Sequence, residues 1–521
     1  MPDAIIIGAG HNALVAAFYL AKAGRRPLVL EKQDHVGGGA VTTEIHPGFR
    51  CPSLSHEILL EKQIVGDLNL RRHGAEFIPL PALSCALSPD RPPLVLQDDI
   101  GASVQSLRSL NARDAEAYAE FRATVERLSS VVGATFDSPP PDIDEPSAGD
   151  LWSLLKTGRR FRSLGKRDGF RLLRWVSMPI ADLLGEWFED ERLRALLAGP
   201  GVSGTMLGPR SAGSSLVLLL REACRLRADG RTMRARGGPG AVTQAIAKAA
   251  REAGAEIRTG QAVQRILVDD GRVTGVVANG QEILCGTVVS GLDPKTTFLS
   301  LVDPAELAPE FTTKVRNYRA SGTVAKVNLA LASLPAFHGV ADPRALAGKI
   351  HIGPDLDYLE RAFDCVKYSE VSSDPWLDIT IPSIVDMELT PPGAHVASIY
   401  THYSPFALRS VDWRVAKDML LANTLATLET YAPGIRSLVV NADVKTPPEL
   451  QAQVGVSGGH MFHGELALDQ LFTMRPLLGH ARYGSPIRGL HLCGAGTHPG
   501  GFMTGTSGRL AARTLLTSSA H

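Results

Sequence analysis

The first apolar stretch, Ala4-Ile5-Ile6-Ile7, is short, β-branched and free of polar residues, the pattern of a strand covered on both faces. After a glycine turn, Leu14, Ala17, Phe18 and Ala21 recur at helical spacing, and Gly24 supplies a stop. A second run, Pro27-Leu28-Val29-Leu30, predicts another strand, so the segment reads as a βαβ unit. Between residues 111 and 130, Tyr118, Phe121, Val125 and Leu128 share one helical face behind Asn111, a good N-cap residue, with Asp114 three positions on. Residues 136–149 hold Pro139, Pro140 and Pro141 among acids and show no period. They predict a surface loop ahead of a helical insertion.

From Gly237 the α/β alternation returns. The pattern predicts a helix over 241–253 and strands near 256–258, 263–268, 272–278 and 287–290. Alternating runs near 323–332 and 394–401 suggest an antiparallel sheet, and strand followed by helix reappears over 489–516. No internal repeat at a solenoid period is present.

Charge and cysteine usage narrow the function classes. Lysine plus arginine equals aspartate plus glutamate at 54 each in 521 residues, so no long-range field draws the molecule to nucleic acid. The six cysteines are scattered without a C-x-x-C pair, which writes neither a zinc site nor a dithiol redox centre and suits a reducing compartment. No run approaches the roughly 18 apolar residues of a membrane span. A strand beginning almost at Met1 leaves no room for a leader, and the expectation is a soluble, cytoplasmic protein.

Chemistry enters at Gly8-Ala9-Gly10-His11-Asn12-Ala13, a G-x-G-x-x-A turn between strand and helix. Gly8 permits the tight turn, Gly10 lets a pyrophosphate approach the backbone, and Ala13 lets the helix pack on the strand. The helix start offers free N–H groups and a positive dipole end. Glu31 follows Gly10 by 21 residues, at the end of the second strand, where a carboxylate can accept ribose hydroxyls. Gly199-Pro200-Gly201-Val202-Ser203-Gly204 fits the same expression, but it follows a charged helical stretch and carries a proline, so it reads as a loop. A second cluster, Val36-Gly37-Gly38-Gly39-Ala40, marks another close backbone approach. Near the other end, Gly489 to Gly505 gives strand, glycine-rich turn and a helix expected to begin near Met503.

Together with Gly237-Gly238-Pro239-Gly240, Val288-Val289-Ser290-Gly291-Leu292-Asp293-Pro294 and Thr497-His498-Pro499-Gly500-Gly501, these segments resemble the phytoene desaturase-like branch of the FAD-dependent amine oxidase superfamily. Within it, Pro209 to Ser214, Ser321 to Asn328 and the stretch from Phe462 through Pro476 are similar to the family of pyridine nucleotide-disulfide oxidoreductase domain-containing protein 2. The resemblance implies an α/β fold: a Rossmann-type FAD-binding domain, glutathione reductase/amine oxidase-like, plus a mixed β-sheet and helical substrate domain. The first domain is expected in pieces, residues 1–75, 230–300 and 480–521. The second takes residues 76–229 and 301–479, with the helical insertion around 110–225. The implied cofactor is non-covalent FAD, with Gly8, Ala9, Gly10, Asn12, Ala13, Glu31, Lys32, Gly38 and Gly39 around its ADP half and the Val263 backbone at adenine. Gly494, Ala495, Phe502 and Met503 are expected near the flavin, where the last helix would face developing negative charge on the ring. Two positions depart from the pattern: Gly39 stands where amine oxidases usually carry arginine, and Ala495 and Gly496 stand where related flavoproteins often place an acid.

The implied reaction is hydride transfer from an apolar small molecule to flavin, by desaturation or dehydrogenation. An oxygen-using amine oxidase and a flavin-binding regulatory protein with little turnover remain alternatives; electron acceptor and oligomeric state are not written in the chain. Candidate acid or base groups are His460, His463 and His498, each equally suited to a structural hydrogen bond. No ligand set for a metal accompanies them. Lys326 in an apolar strand would resemble the water-activating lysine of amine oxidases if it faced flavin; burial or a salt bridge also explains it. Cys493 reads as core packing. Residues 156–174 carry eight basic side chains against Asp168, interleaved with Phe161, Phe170, Leu172 and Leu173, which suits either peripheral contact with an anionic membrane or a solvated face.

Overall fold

In the computed structural model, which describes residues 1–143 and 145–518, the strand Ala4–Ile7 lies at the centre of a five-stranded parallel sheet. The strand order is Leu490–Leu492, Val288–Ser290, Ala4–Ile7, Pro27–Leu30, Glu256–Arg258. Its members thus come from the beginning, middle and end of the chain. On one face Ile6, Val29 and Val289 pack under the helices His11–Lys22, Gly238–Glu252 and Thr506–Ser518. On the other, Ile5, Ile7, Leu28, Leu30 and Val288 meet the antiparallel sheet Val263–Asp269, Arg272–Ala278, Gln281–Leu284 through Ile266, Val273 and Val276. Cover on both faces is why these strands are continuously apolar, and each large side chain so buried contributes roughly 1.5–3 kcal/mol.

A seven-stranded sheet forms the second layer, in the order Val439–Lys445, Val324–Leu331, His395–His402, Trp376–Thr380, Lys349–Ile352, Ser84–Ala86, Leu94–Leu96. Val327, Leu329, Ile350, Ile379 and Ile399 on one side share a core with Leu420, Leu428 and Tyr431 of the helix Trp413–Tyr431. Beside it stand the helices Ala112–Ala134, Glu191–Val202 and Ser214–Arg227, whose apolar residues are buried against one another. Asn111 caps the first of these, accepting from the Asp114 N–H at 3.1 Å.

Two local expectations are corrected. Gly199 to Val202 are the end of the helix Glu191–Val202, not a loop, with Pro200 inside it. Packing decides there: a Cβ at Gly201 would sit 2.8 Å from the Ser214 carbonyl oxygen, so the glycines serve a close helix approach. The last helix begins at Thr506, three residues after Met503, because Gly505 takes a left-handed φ of 77° that an α-helix cannot contain.

Candidate active site

A cavity of about 530 Å³ opens along the turn after Ala4–Ile7. Gly8 makes the turn at φ 85°, its N–H bonded to the Leu30 carbonyl at 2.8 Å. A Cβ on Gly8 would lie 3.1 Å from Leu292, whereas one on Gly10 would meet no protein atom within 4 Å. The open space at Gly10 therefore belongs to the cavity. Gly38 crosses over it at φ 58°, with room for no more than hydrogen: a Cβ would stand 3.2 Å from the Gly10 Cα. Close packing of Ala13 against Gly291 holds the helix start in place.

Glu31 is buried, and its carboxylate accepts the Ala9 N–H at 2.6 Å and the Gln33 N–H at 3.0 Å. Lone pairs remain on both oxygens for further donors. Gly8, Gly10, Asn12, Ala13, Glu31, Lys32, Gly38, Gly39 and Val263 all line the cavity, as do Gly494, Ala495, Phe502 and Met503. Ala9 stands behind the wall and orients Glu31. Asn12 Oδ1, His11 Nε2 and His463 Nδ1, all from residues on this wall, are buried without a hydrogen-bond partner. An open cradle over backbone, a carboxylate at the strand end and unpaired polar atoms together fit FAD. Lys32 and Lys445 supply positive charge on a wall that lacks arginine after the Gly-Gly pair.

The three candidate histidines part company. His463 lines the cavity with a left-handed φ of 57°, and burial holds its pKa below the usual value. The His460 ring is used up: Nε2 donates to Glu465 Oε1 at 3.0 Å while Nδ1 accepts the Phe462 N–H at 3.2 Å. His498 donates from Nε2 to the Thr135 carbonyl at 2.9 Å, and burial pushes its pKa down to about 4. Arg475, fully buried, binds this region together. Its guanidinium donates to the carbonyls of Glu465 at 2.8 Å, Phe462 at 3.0 Å and Ala495 at 2.8 Å, joining the histidine loop to the glycine turn.

The remaining wall comes from segments without a motif, among them Ser53 to Ser55 and Gln453 to Val456. Sequence reasoning passed over them because their placement depends on the strands and turns they connect. Lys445 was also missed; it lines the cavity and donates to Ser53 Oγ at 2.9 Å. Lys326 is fully buried and donates to Ser398 Oγ at 2.6 Å. The Cys493 thiol is pushed up to about 12 by burial, so it is protonated and packs in the core.

A parallel nucleotide-binding sheet whose glycine turns from both chain ends converge on one cavity defines an FAD-dependent oxidoreductase that holds its cofactor non-covalently. The chain belongs to the family described as flavin containing amine oxidoreductase, whose model matches residues 181–516; a model described as NAD(P)-binding Rossmann-like domain matches residues 6–61. It is 35% identical to pyridine nucleotide-disulfide oxidoreductase domain-containing protein 2 of Rattus norvegicus, over 99% of this chain and 93% of that one. It is 26% identical to a limonene dehydrogenase subunit of Castellaniella defragrans, over 98% and 94%. The crystal structure of an oxidoreductase from Methanosarcina mazei has the same fold, with a TM-score of 0.63 at 16% identity and 99% of both chains covered. The protein is accordingly an oxidoreductase of small organic substrates.

Proposed function

We propose that the protein dehydrogenates an apolar small molecule by hydride transfer to FAD. The observation that carries this reading is the apolar stretch of cavity wall formed by Leu54, Met461, Phe462, Phe502 and Met503 beside the glycine turn. The Phe462 and Phe502 rings lie 5.0 Å apart and keep water from that part of the wall. The 26% identical relative named as part of a limonene dehydrogenase supports a hydrocarbon-like substrate. FAD, when bound, supplies the two-electron acceptor. Of the three candidate histidines His463 alone lines the wall, neutral at pH 7, while His460 and His498 fix its loop and the neighbouring turn through Glu465 and Thr135. Anaerobic mixing of the holoenzyme with a panel of terpenes, allylic alcohols and amines tests the reading. Bleaching of the flavin by an apolar compound is expected; turnover of amines alone, with peroxide formed in air, would replace it with an amine oxidase.

Peripheral membrane contact is part of the same reading. In the helices Ala148–Ser163 and Gly165–Ser177, Trp152, Leu155, Phe170 and Leu173 are each more than 60% exposed. Lys156, Arg159, Arg162 and Lys166 beside them make no ion pair with any described residue. Exposed apolar side chains rimmed by free cations suit an anionic bilayer surface.

A further inference from the structure

In the seven-stranded sheet, Lys326, Tyr400, Asp378 and His351 fall in one cross-strand row, with Asn328, Ser398 and His402 in neighbouring rows of the same face. Alternation of polar and apolar positions ordinarily marks a solvated face. Here Lys326, Asn328, Ser398 and His402 are fully buried, and Asp378 is nearly so. Such groups are costly unless paired. Three other cations nearby have carboxylates, while Arg234 donates to the Ala347 carbonyl: Lys445 meets Asp443 at 3.2 Å, Lys349 meets Asp378 at 3.3 Å, and Arg221 pairs with Glu57. Lys326 has no such partner among the described residues. Its Nζ sits 4.3 Å from the Tyr400 ring centroid, donates to Ser398 Oγ, and lies 3.3 Å from His56 Nδ1. The other nitrogen of that ring, His56 Nε2, is buried with no hydrogen-bond partner. His56 stands between Ser55, on the cavity wall, and Glu57, whose partner Arg221 stacks 4.7 Å over the wall residue Phe502.

We propose that His56 and Lys326 form a proton relay for the substrate, His56 Nε2 taking the proton released on oxidation while Nδ1 passes its own proton to the Lys326 amine. The relay rests on the dehydrogenation reading and deepens it. One bond to hydrogen breaks at a substrate oxygen, nitrogen or carbon as one forms at Nε2; the Nδ1–H bond breaks as a new N–H bond forms on Nζ. The substrate's two electrons leave with the hydride. The imidazole is neutral before and after, and the charge ends on lysine. Burial supports that division, pushing Lys326 down to about 7 and His56 well below its usual range. The charged or titratable groups facing the pair are Lys349, Arg234 and His402 toward His56, and Cys51, Asp378, Asp443 and Lys445 toward Lys326.

The test is a titration of the ¹⁵N-histidine-labelled holoprotein by NMR from about pH 5.5 to 9, with the His56 signals assigned by their loss in H56Q. The expected result is a neutral ring throughout, whose proton sits on Nε2 in acid and moves to Nδ1 as Lys326 loses its charge. In K326R the proton stays on Nε2 at every pH. A wild-type ring that keeps its proton on Nε2 across the range overturns the relay, as does an unaltered switch in K326R. The wild-type titration decides even if the variant folds poorly, and it needs no substrate. A protein whose flavin no compound reduces would sink the dehydrogenation reading separately. Where a substrate is found, K326M is expected to slow flavin reduction at pH 7 at least about tenfold, with the acid limb near pH 7 lost.

Discussion

Gly10 and Gly8 are adjacent in motif and different in physics. At Gly8 the backbone itself demands glycine, since φ is 85°. At Gly10 a methyl group would touch no protein atom, so only the cofactor is in its way. G10A is therefore expected to leave the melting temperature of the apoprotein within about 1 °C while weakening FAD binding at least about tenfold, about 1.4 kcal/mol; fluorescence titration with FAD measures it. An equal loss of apoprotein stability would show that the glycine serves the fold. The stretch of cavity wall around Gly8 to Ala13 was legible because strand, turn, helix and Glu31 are related by local spacing. The histidines were not: His460 and His498 were equal to His463 in sequence, yet Glu465 and the Phe462 N–H take both nitrogens of His460, and His498, bonded to distant Thr135, lies off the cavity wall that His463 lines. Buried histidine also sets a pH dependence. His351 and His498 are held at about 4, against about 6.5 in an unfolded chain. Above pH 6.5 neither state carries the proton and the pair contributes nothing. Between about 6.5 and 4 the unfolded chain binds protons that the folded one refuses, so stability falls as pH falls, by about 1.4 kcal/mol per unit for each ring. Urea denaturation at stepped pH is expected to show that loss, reduced in H351Q.

Glu61 joins elements that the sequence keeps far apart. Its buried carboxylate receives Arg509 Nε at 3.0 Å, Thr506 Oγ at 3.3 Å and the Arg227 guanidinium, so the helices Ser214–Arg227 and Thr506–Ser518 meet at one charge. Its N–H bonds to the Thr504 carbonyl at 3.0 Å, beside the turn that carries Phe502 and Met503. E61A leaves the buried Arg509 without its carboxylate while Arg227 keeps Asp137 at 2.8 Å, and a loss of about 3–5 kcal/mol is expected in chemical denaturation. A loss under about 1 kcal/mol would mean that solvent replaces the carboxylate. Periodicity read the strands of the parallel sheet and the helices His11–Lys22, Ala112–Ala134 and Gly238–Glu252, but not Lys349–Ile352, Trp376–Thr380 or Val439–Lys445 of the larger sheet. The helix end at Gly199 to Val202 and the late start at Thr506 turn on a tertiary approach and on one left-handed residue, neither of which alters hydrophobic spacing.

At the scale of the molecule, two strands of the seven-stranded sheet were legible and the meaning of their pattern was not. Polar alternation in Val324–Leu331 and His395–His402 looks like a wet surface until the segment Pro52 to His56 lies across it, its Pro52 and Leu54 carbonyls accepting from Asn328 and Tyr400. The exposed hairpin of Ala148–Ser163 and Gly165–Ser177 presents the converse, apolar side chains left uncovered. Among the described residues no helix is long and apolar enough to cross a membrane. Sedimentation with vesicles containing anionic lipid is expected to carry the protein down at low salt, and W152E/L155E is expected to reduce the bound fraction about tenfold or more. Equal binding to neutral vesicles, or none to either kind, would remove the membrane from the proposal.

The parallel sheet closes only when Leu490–Leu492 docks beside Val288–Ser290, and that fact reaches back to how the chain is made. A ribosome adding about 5–20 residues per second holds back that edge strand for on the order of half a minute after the Gly8 to Ala13 turn has emerged. The strands that flank Ile5 to Ile7, Pro27–Leu30 and Val288–Ser290, are made before it; what the interval withholds is the edge strand and the helix Thr506–Ser518. The cavity wall contributed by Gly494, Ala495, Phe502 and Met503 is made after every other part of that wall, so the cradle around Gly8 to Ala13 exists before the site it belongs to is complete.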